Sequence, residues 1–167
     1  MLKYARKHKI KLLALLNVLL VFIVDQCSKL YVVANFPYHV AHNYFKVLTT
    51  KLNFGVNLFL TYNKGTAFSI IKQASGNVRN ILILCTLIIT ASLFYGFTRI
   101  SSKEKTMLIA LSLILGGALG NIYDRVNLGY VVDFIDVYVG SYHWPIFNIA
   151  DSAISVGALL LCYKLVK

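Results

Sequence analysis

The chain has 167 residues, 58% of them hydrophobic, and 17 Lys and Arg against 6 Asp and Glu give it a formal net charge of +11. A composition this apolar excludes an ordinary water-soluble domain and points to a polytopic membrane protein. The basic surplus does not make a nucleic-acid binder, because the bases flank apolar runs as topology signals do, so no nucleic-acid partner is expected.

The amino-terminal stretch MLKYARKHKIK carries Lys3, Arg6, Lys7, Lys9 and Lys11 and looks like the basic region of a secretory signal. The apolar run behind it is too long for one and ends in VDQCSK, with no small-x-small cleavage site, so it reads as a retained span over about residues 12–33. Asp25 and Gln26 ahead of Cys27 also exclude a lipobox. Asp25, Ser28 and Lys29 fall on one helical face, and Asp25 and Lys29 at i, i+4 are placed to neutralise each other in a structural role.

A long loop follows, over about residues 34–80. Within it, LNFGVNLFLTYN sets Leu52, Phe54, Val56, Leu58, Leu60 and Tyr62 at every second position. That period of two predicts a strand, or a hairpin bent near Gly55, with one apolar face, and NKG at 63–65 reads as a turn. So few residues cannot bury a core of their own, so the expectation is a small β-sheet cradle over about residues 44–70, lying on the outer leaflet.

Three more spans are expected at about 81–97, 107–123 and 146–161, each near the ~20 residues that a ~30 Å hydrocarbon core requires. Four spans leave both ends on one side. The amino end, the loop with Arg99, Lys103 and Lys105, and the tail with Lys164 and Lys167 concentrate basic residues in short segments. The loops 34–80 and 124–145 spread theirs over greater length, so the positive-inside rule places both termini in the cytoplasm. In the third span Ser112, Gly116 and Gly120 recur at four-residue steps beside Gly117, a pattern of tight helix packing that would bring Asn121 close to the other polar faces. Asn121, Asp124 and Arg125 share a face, with Asp124 and Arg125 placed as a boundary ion pair; Asn148, Asp151, Ser152 and Ser155 run i, i+3, i+4, i+7. At 1.5 Å per residue, Asp25 and Asn121 lie roughly 20 Å from the cytoplasmic ends of their spans, and Asp151 about 8 Å from the outer end of its own. Three spans thus bring polar groups to the outer third of the bilayer, where they must face one another or water.

Cys27, Cys85 and Cys162 form no CxxC pair and read as small buried hydrophobes. His8, His39, His42 and His143 form no HExxH, and HVAH at 39–42 is a weak metal signal, so no metal is expected. Tyr142 and Trp144 read as membrane-interface anchors. The acids resist a purely structural account. Asp25 has Lys29 and Asp124 has Arg125, but Asp133, Asp136 and Asp151 have no base nearby in the sequence. Two of these three converging in a low-dielectric site must share a proton, and such a pair can activate water with one carboxylate while the other protonates a carbonyl oxygen. Spacing does not choose between Asp133 and Asp136. A proton-coupled transporter fits less well, since the polar groups avoid the midplane and no inverted repeat is evident. A non-catalytic scaffold, with polar faces serving as inter-helix glue, is the other alternative.

DQCSK (25–29), YNKGTAF (62–68), GGALGNIYDR (116–125), VVDF (131–134) and FNIADS (147–152) closely resemble the motifs of the lipoprotein signal peptidases, signal peptidase II, in the family's order from the first span to the last. The resemblance implies a single four-transmembrane-helix bundle with a small extracytoplasmic β-sheet cradle, acting as a monomeric aspartic endopeptidase of the bacterial cytoplasmic (inner) membrane. Its implied substrate is a diacylglyceryl-modified prolipoprotein, cut before the lipidated cysteine, and its implied inhibitor is globomycin; no cofactor or metal is implied. The catalytic pair falls on Asp133 and Asp151. Asn63, Gly65, Asn121, Arg125 and Asn148 match positions that line the substrate or inhibitor site, Arg125 holding substrate main-chain carbonyls, and Asp25, Lys29 and Asp124 match supporting positions. Lys64 and Thr66 depart from the smaller apolar or neutral residues that relatives carry there, and the tract from Asn35 to Lys51 aligns with nothing in the family.

Overall fold

A computed structural model describes residues 2–36, 45–49, 54–64 and 76–167. The elements run α1 (Leu2–Asn35), β1 (Phe45–Thr49), β2 (Phe54–Asn63), α2 (Gly76–Arg99), α3 (Lys105–Asn127), β3 (Val131–Val139), β4 (Tyr142–His143) and α4 (Ile149–Val166). Among the described residues, Lys9–Asn35, Lys105–Asn127 and Ile149–Val166 are long and apolar enough to cross a membrane, and α2 supplies a shorter apolar stretch, Ile83–Arg99. The basic amino-terminal segment is part of α1 rather than a flank outside it. Of the turn read at 63–65, Asn63 ends β2 and Lys64 follows it, while Gly65 lies outside the described residues together with Thr66 and the HVAH segment.

α3 is the central helix, packed against α1, α2 and α4. Its glycines explain how. A Cβ on Gly116 would meet Val21 Cβ at 2.7 Å and the Val18 carbonyl oxygen at 2.8 Å, both on α1. A Cβ on Gly117 would strike the Ala150 carbonyl oxygen of α4, and one on Gly120 would strike Asp25 Oδ2 of α1. From the other side, Gly157 of α4 leaves room for the Ala110 carbonyl oxygen, which a Cβ would meet at 2.6 Å. Lipid tails are as apolar as leucine, so close backbone approach and interhelical hydrogen bonds carry association here. One such bond runs from Asn17 Nδ2 of α1 to Ser112 Oγ of α3, 2.8 Å. The outer faces of α1 and α2 stay apolar and exposed, with Leu12, Leu16, Leu20 and Ile88 among them. Cys27, Cys85 and Cys162 are exposed too. The expectation that they are buried is corrected: an apolar side chain in a bundle of this kind is as well placed against hydrocarbon as against protein.

The four strands form one antiparallel sheet in the order β1-β2-β3-β4. The stretch around Gly55 is not a hairpin bend: β2 is a single strand in which Gly55 pairs with Thr49 on one side and Tyr138 on the other. Nor is 124–145 a plain loop. α3 continues to Asn127, and VVDFIDVYV forms β3, as its β-branched and aromatic content favours. Gly140, at φ +62, opens the two-residue turn that pairs Val139 with Tyr142. Val32 of α1, Leu60, Val132 and Phe134 form a buried cluster beneath the sheet, which seats it against the end of the bundle.

β2 and β3 slip register between Leu58 and Thr61. Asp136 lies opposite Asn57 and Asp133 opposite Thr61, so β2 spends one residue more than β3 between the two pairs. On a regular strand Asp133 and Asp136 point to opposite faces, whereas Asn57 and Asn63 point to the same one. The bulge reconciles them: Asn57 Nδ2 donates to Asp136 Oδ2 at 2.8 Å and Asn63 Nδ2 to Asp133 Oδ2 at 3.0 Å.

Candidate active site

Asn148 has extended backbone (φ −130, ψ −175) and caps α4. Its Oδ1 accepts from the Asp151 N–H at 2.9 Å, and its own N–H donates to Asp151 Oδ2 at 3.3 Å, a reciprocal capping box. The helix starts at Ile149 rather than at residue 146, so Asp151 is nearer its end than expected and occupies the first turn, where the exposed amides and the helix dipole favour a carboxylate. Asn148 is the cap, not a member of the helical face expected to hold it with Asp151, Ser152 and Ser155.

The amide of Asn148 also reaches the sheet. Nδ2 donates to Asp133 Oδ1 at 2.7 Å, with the Val132 carbonyl at 3.3 Å and Asn121 Oδ1 at 3.1 Å as further acceptors. One residue thus contacts both carboxyls, Asp133 through its side chain and Asp151 through its backbone. Asn121 Nδ2 donates to Asp151 Oδ1 at 2.8 Å, and Asn121 Oδ1 in turn accepts from Lys29 Nζ at 3.2 Å. Asp133 is 2% exposed. Burial, with help from the charge of Asp151, pushes its pKa up to about 7, against the opposing hydrogen bonds from Asn63 and Asn148. The carboxyl therefore keeps its proton into the neutral range, the state required of one member of a proton-sharing pair.

Beneath the pair lies a buried ionic cluster. Lys29 Nζ is 2.8 Å from Asp25 Oδ2 and 2.9 Å from Asp124 Oδ2. The i, i+4 pairing of Asp25 and Lys29 holds, but Asp124 takes Lys29 as its base rather than the adjacent Arg125. Arg125 Nη1 donates to the carbonyl of Asn121 at 3.2 Å, its buried Nε has no hydrogen-bond partner among the described residues, and it lies in the field of Asp151, Asp133 and Asp124. Asp136 is elsewhere. It is buried on the opposite face of β3 with Asn57 and with His143, whose Nδ1 lies 2.7 Å from Asp136 Oδ1. The choice that spacing left open is thereby narrowed, since Asp133, not Asp136, shares Asn148 with Asp151; and Asp136 does have a base, brought to it across the β3–β4 turn. Asn63 and Asn121 each contact one acid of the pair, while Gly65 lies outside the described residues. Sequence reading missed Gln26, whose amide reaches Asp25 and Asp124. A neutral residue in an apolar helix gives no signal for that.

The family model for signal peptidase (SPase) II matches residues 17–167. The chain belongs to the signal peptidase II family. It is 43% identical over 143 residues to the lipoprotein signal peptidase of Cupriavidus pinatubonensis, covering 86% of this chain and 76% of that one. The lipoprotein signal peptidase of Cellvibrio japonicus is 43% identical over 141 residues, covering 84% of this chain and 78% of that one. A solved structure described as a bacterial membrane enzyme at 1.9 Å resolution superposes with a TM-score of 0.78 at 33% identity, covering 92% of each chain. A second, at 2.3 Å, gives 0.77 at 34% identity, with 92% and 87% covered. As a member of signal peptidase II the protein is a multi-pass membrane peptidase, with the helix bundle and antiparallel sheet described above.

Proposed function

We propose that this peptidase removes signal peptides from diacylglyceryl-modified prolipoproteins, cutting on the amino side of the lipidated cysteine with a water held between Asp133 and Asp151. The observation that carries the reading is Asn148, which contacts both carboxyls where the bundle meets the sheet. Asp133 keeps its proton near neutrality, so Asp151 is the base. Asp151 takes a proton from water as its oxygen attacks the scissile carbonyl, and Asp133 gives its proton to the carbonyl oxygen, yielding a gem-diol. As the carbon–nitrogen bond breaks, Asp151 passes its proton to the departing cysteine nitrogen and Asp133 recovers one from a diol hydroxyl.

Asn63 and Asn148 orient Asp133, and Asn121 orients Asp151. Arg125, with a buried donor still open, is placed to hold a substrate main-chain carbonyl. Gly65 is assigned to substrate binding by its match to the family motif alone, and Asp25, Lys29 and Asp124 support the site. By the positive-inside rule the basic flanks leave both termini in the cytoplasm, which sets the dyad beneath the outer headgroups, the depth at which a diacylglyceryl anchor holds the scissile bond. The whole chain, 1–167, acts as one membrane domain and as a monomer, with membrane lipid around it; globomycin occupies the substrate cleft. Purified protein in detergent, incubated with a lipidated precursor, is expected to release the signal peptide and to be blocked by globomycin. Asp133→Asn and Asp151→Asn are each expected to abolish release while the protein stays folded. Near-normal turnover by either variant refutes the dyad.

A further inference from the structure

Two carboxylates outside the pair perform the same task on either side of it. Asp25 Oδ1 accepts the backbone N–H of Ala150 at 2.9 Å, and Ala150 immediately precedes Asp151. Asp124 Oδ2 accepts the backbone N–H of Val132 at 3.1 Å, and Val132 immediately precedes Asp133. Each supporting acid thus grips the peptide just upstream of one dyad acid. One comes from α1 and the other from α3, and both are tied to Lys29.

Lys29 is a single positive charge between two negative ones, with Asp25 0%, Asp124 1% and Lys29 3% exposed. So dry a cluster needs further donors to be satisfied. Gln26 supplies them. Its Nε2 lies 3.1 Å from Asp25 Oδ2 and 3.0 Å from Asp124 Oδ1, with the Gly120 carbonyl at 3.3 Å. Asp124 Oδ2 is held by Lys29 and Val132, so Gln26 is what fixes the other oxygen and, through it, the rotation of the carboxylate.

We propose that Gln26 is a positioning residue for the peptidase reaction: its amide joins Asp25 to Asp124 alongside Lys29, and the joined pair sets the separation of the Asp133 and Asp151 carboxyls. The inference rests on the dyad reading above. It assigns Gln26 no contact with substrate, so the effect of losing it falls on kcat and not on KM.

Gln26→Met keeps length and volume and removes the donors. It is expected to lower kcat per folded enzyme on the order of 10- to 100-fold, the cost of misplacing reactive groups by up to about 1 Å, with KM unchanged and a lower yield of folded protein. Gln26→Glu adds a readout that packing alone does not move. The charged groups facing position 26 among the described residues are Asp25 and Lys29 on α1 and Asp124 on α3; α4 presents the backbone of Ala150. A protonated Glu still donates one hydrogen bond there, whereas an ionised one donates none and repels both acids. Its turnover relative to the parent at the same pH is therefore expected to be highest at low pH and to fall as pH rises, while the Met variant stays low throughout. A Met variant with parental kcat overturns the proposal, as does one whose kcat falls only in proportion to folded protein. If the Met variant does not accumulate, the Glu profile decides alone, and a ratio that does not vary with pH overturns it. Asp133→Asn and Asp151→Asn run in parallel keep the two readings apart: if both are inactive while Gln26→Met is fully active, only the role of Gln26 is lost.

Discussion

Asn148 combines two roles that substitution can separate. As a helix cap it is worth roughly 0.5–2 kcal/mol, and serine caps about as well. As a donor to Asp133 it has no serine equivalent of the same reach. Asn148→Ala is expected to lower thermal stability and turnover together, whereas Asn148→Ser recovers melting temperature without recovering kcat; a serine variant with parental kcat would show that capping is all Asn148 does. Asp133 gives the pH dependence. Its carboxyl titrates near 7 in the folded chain against 3.8 ordinarily. Between those values the folded chain holds a proton that the unfolded chain has released, so this site's contribution to stability is complete below the lower value and is lost as pH rises through the upper one. Asp133→Asn cannot titrate there, and it is expected to flatten the decline of melting temperature between pH 4 and 7 (roughly the interval set by the two values). On the proposed mechanism, turnover of the parent is expected to fall above about pH 7, as Asp133 loses the proton assigned to the carbonyl oxygen.

At the scale of elements, α3 shows how packing sets chemistry. Gly117 lies against the Ala150 carbonyl in the first turn of α4, the turn that carries Asp151. Gly117→Ala must displace that turn, and overpacking of this kind costs about 1–3 kcal/mol. The expected result is protein that still folds but turns over far more slowly than its folded fraction explains, measured by comparing the folded fraction on size-exclusion chromatography with signal-peptide release. The glycine spacing, the alternation of β2 and the meeting of polar faces from α1, α3 and α4 were all legible in the sequence, because each is a periodicity. β3 was not, because a strand buried on both faces with Asp133 and Asp136 in it alternates nothing. The start of α4 was misread because Ile146 and Phe147 are apolar without being helical; Phe147 instead pairs with Ile135 at the edge of the sheet. The Asp136–His143 pair, created by a two-residue turn, and the contacts of Gln26, which cross from α1 to α3, depend on tertiary placement that no local pattern encodes.

At the scale of the whole molecule, basic residues mark one end of the bundle. Lys11 Nζ donates to the Thr98 carbonyl near the end of α2 at 2.7 Å, and Lys164 pairs with Glu104 at 3.0 Å, so α1 and α4 are each tied to the α2–α3 connection. Reporters fused to the amino and carboxyl termini are both expected to be active only if they function in the cytoplasm; a reporter active outside the cell at either end would overturn the proposed orientation. The bond from the Ala150 N–H to Asp25 joins α4 to α1 across 125 residues of sequence. A chain truncated before residue 149 lacks Asp151 and the Ala150 N–H that Asp25 Oδ1 accepts, while Asp25 keeps Lys29 and Gln26. On the proposed mechanism such a truncated chain is expected to cut nothing, so the site is complete only once α4 has docked against α1 and α3.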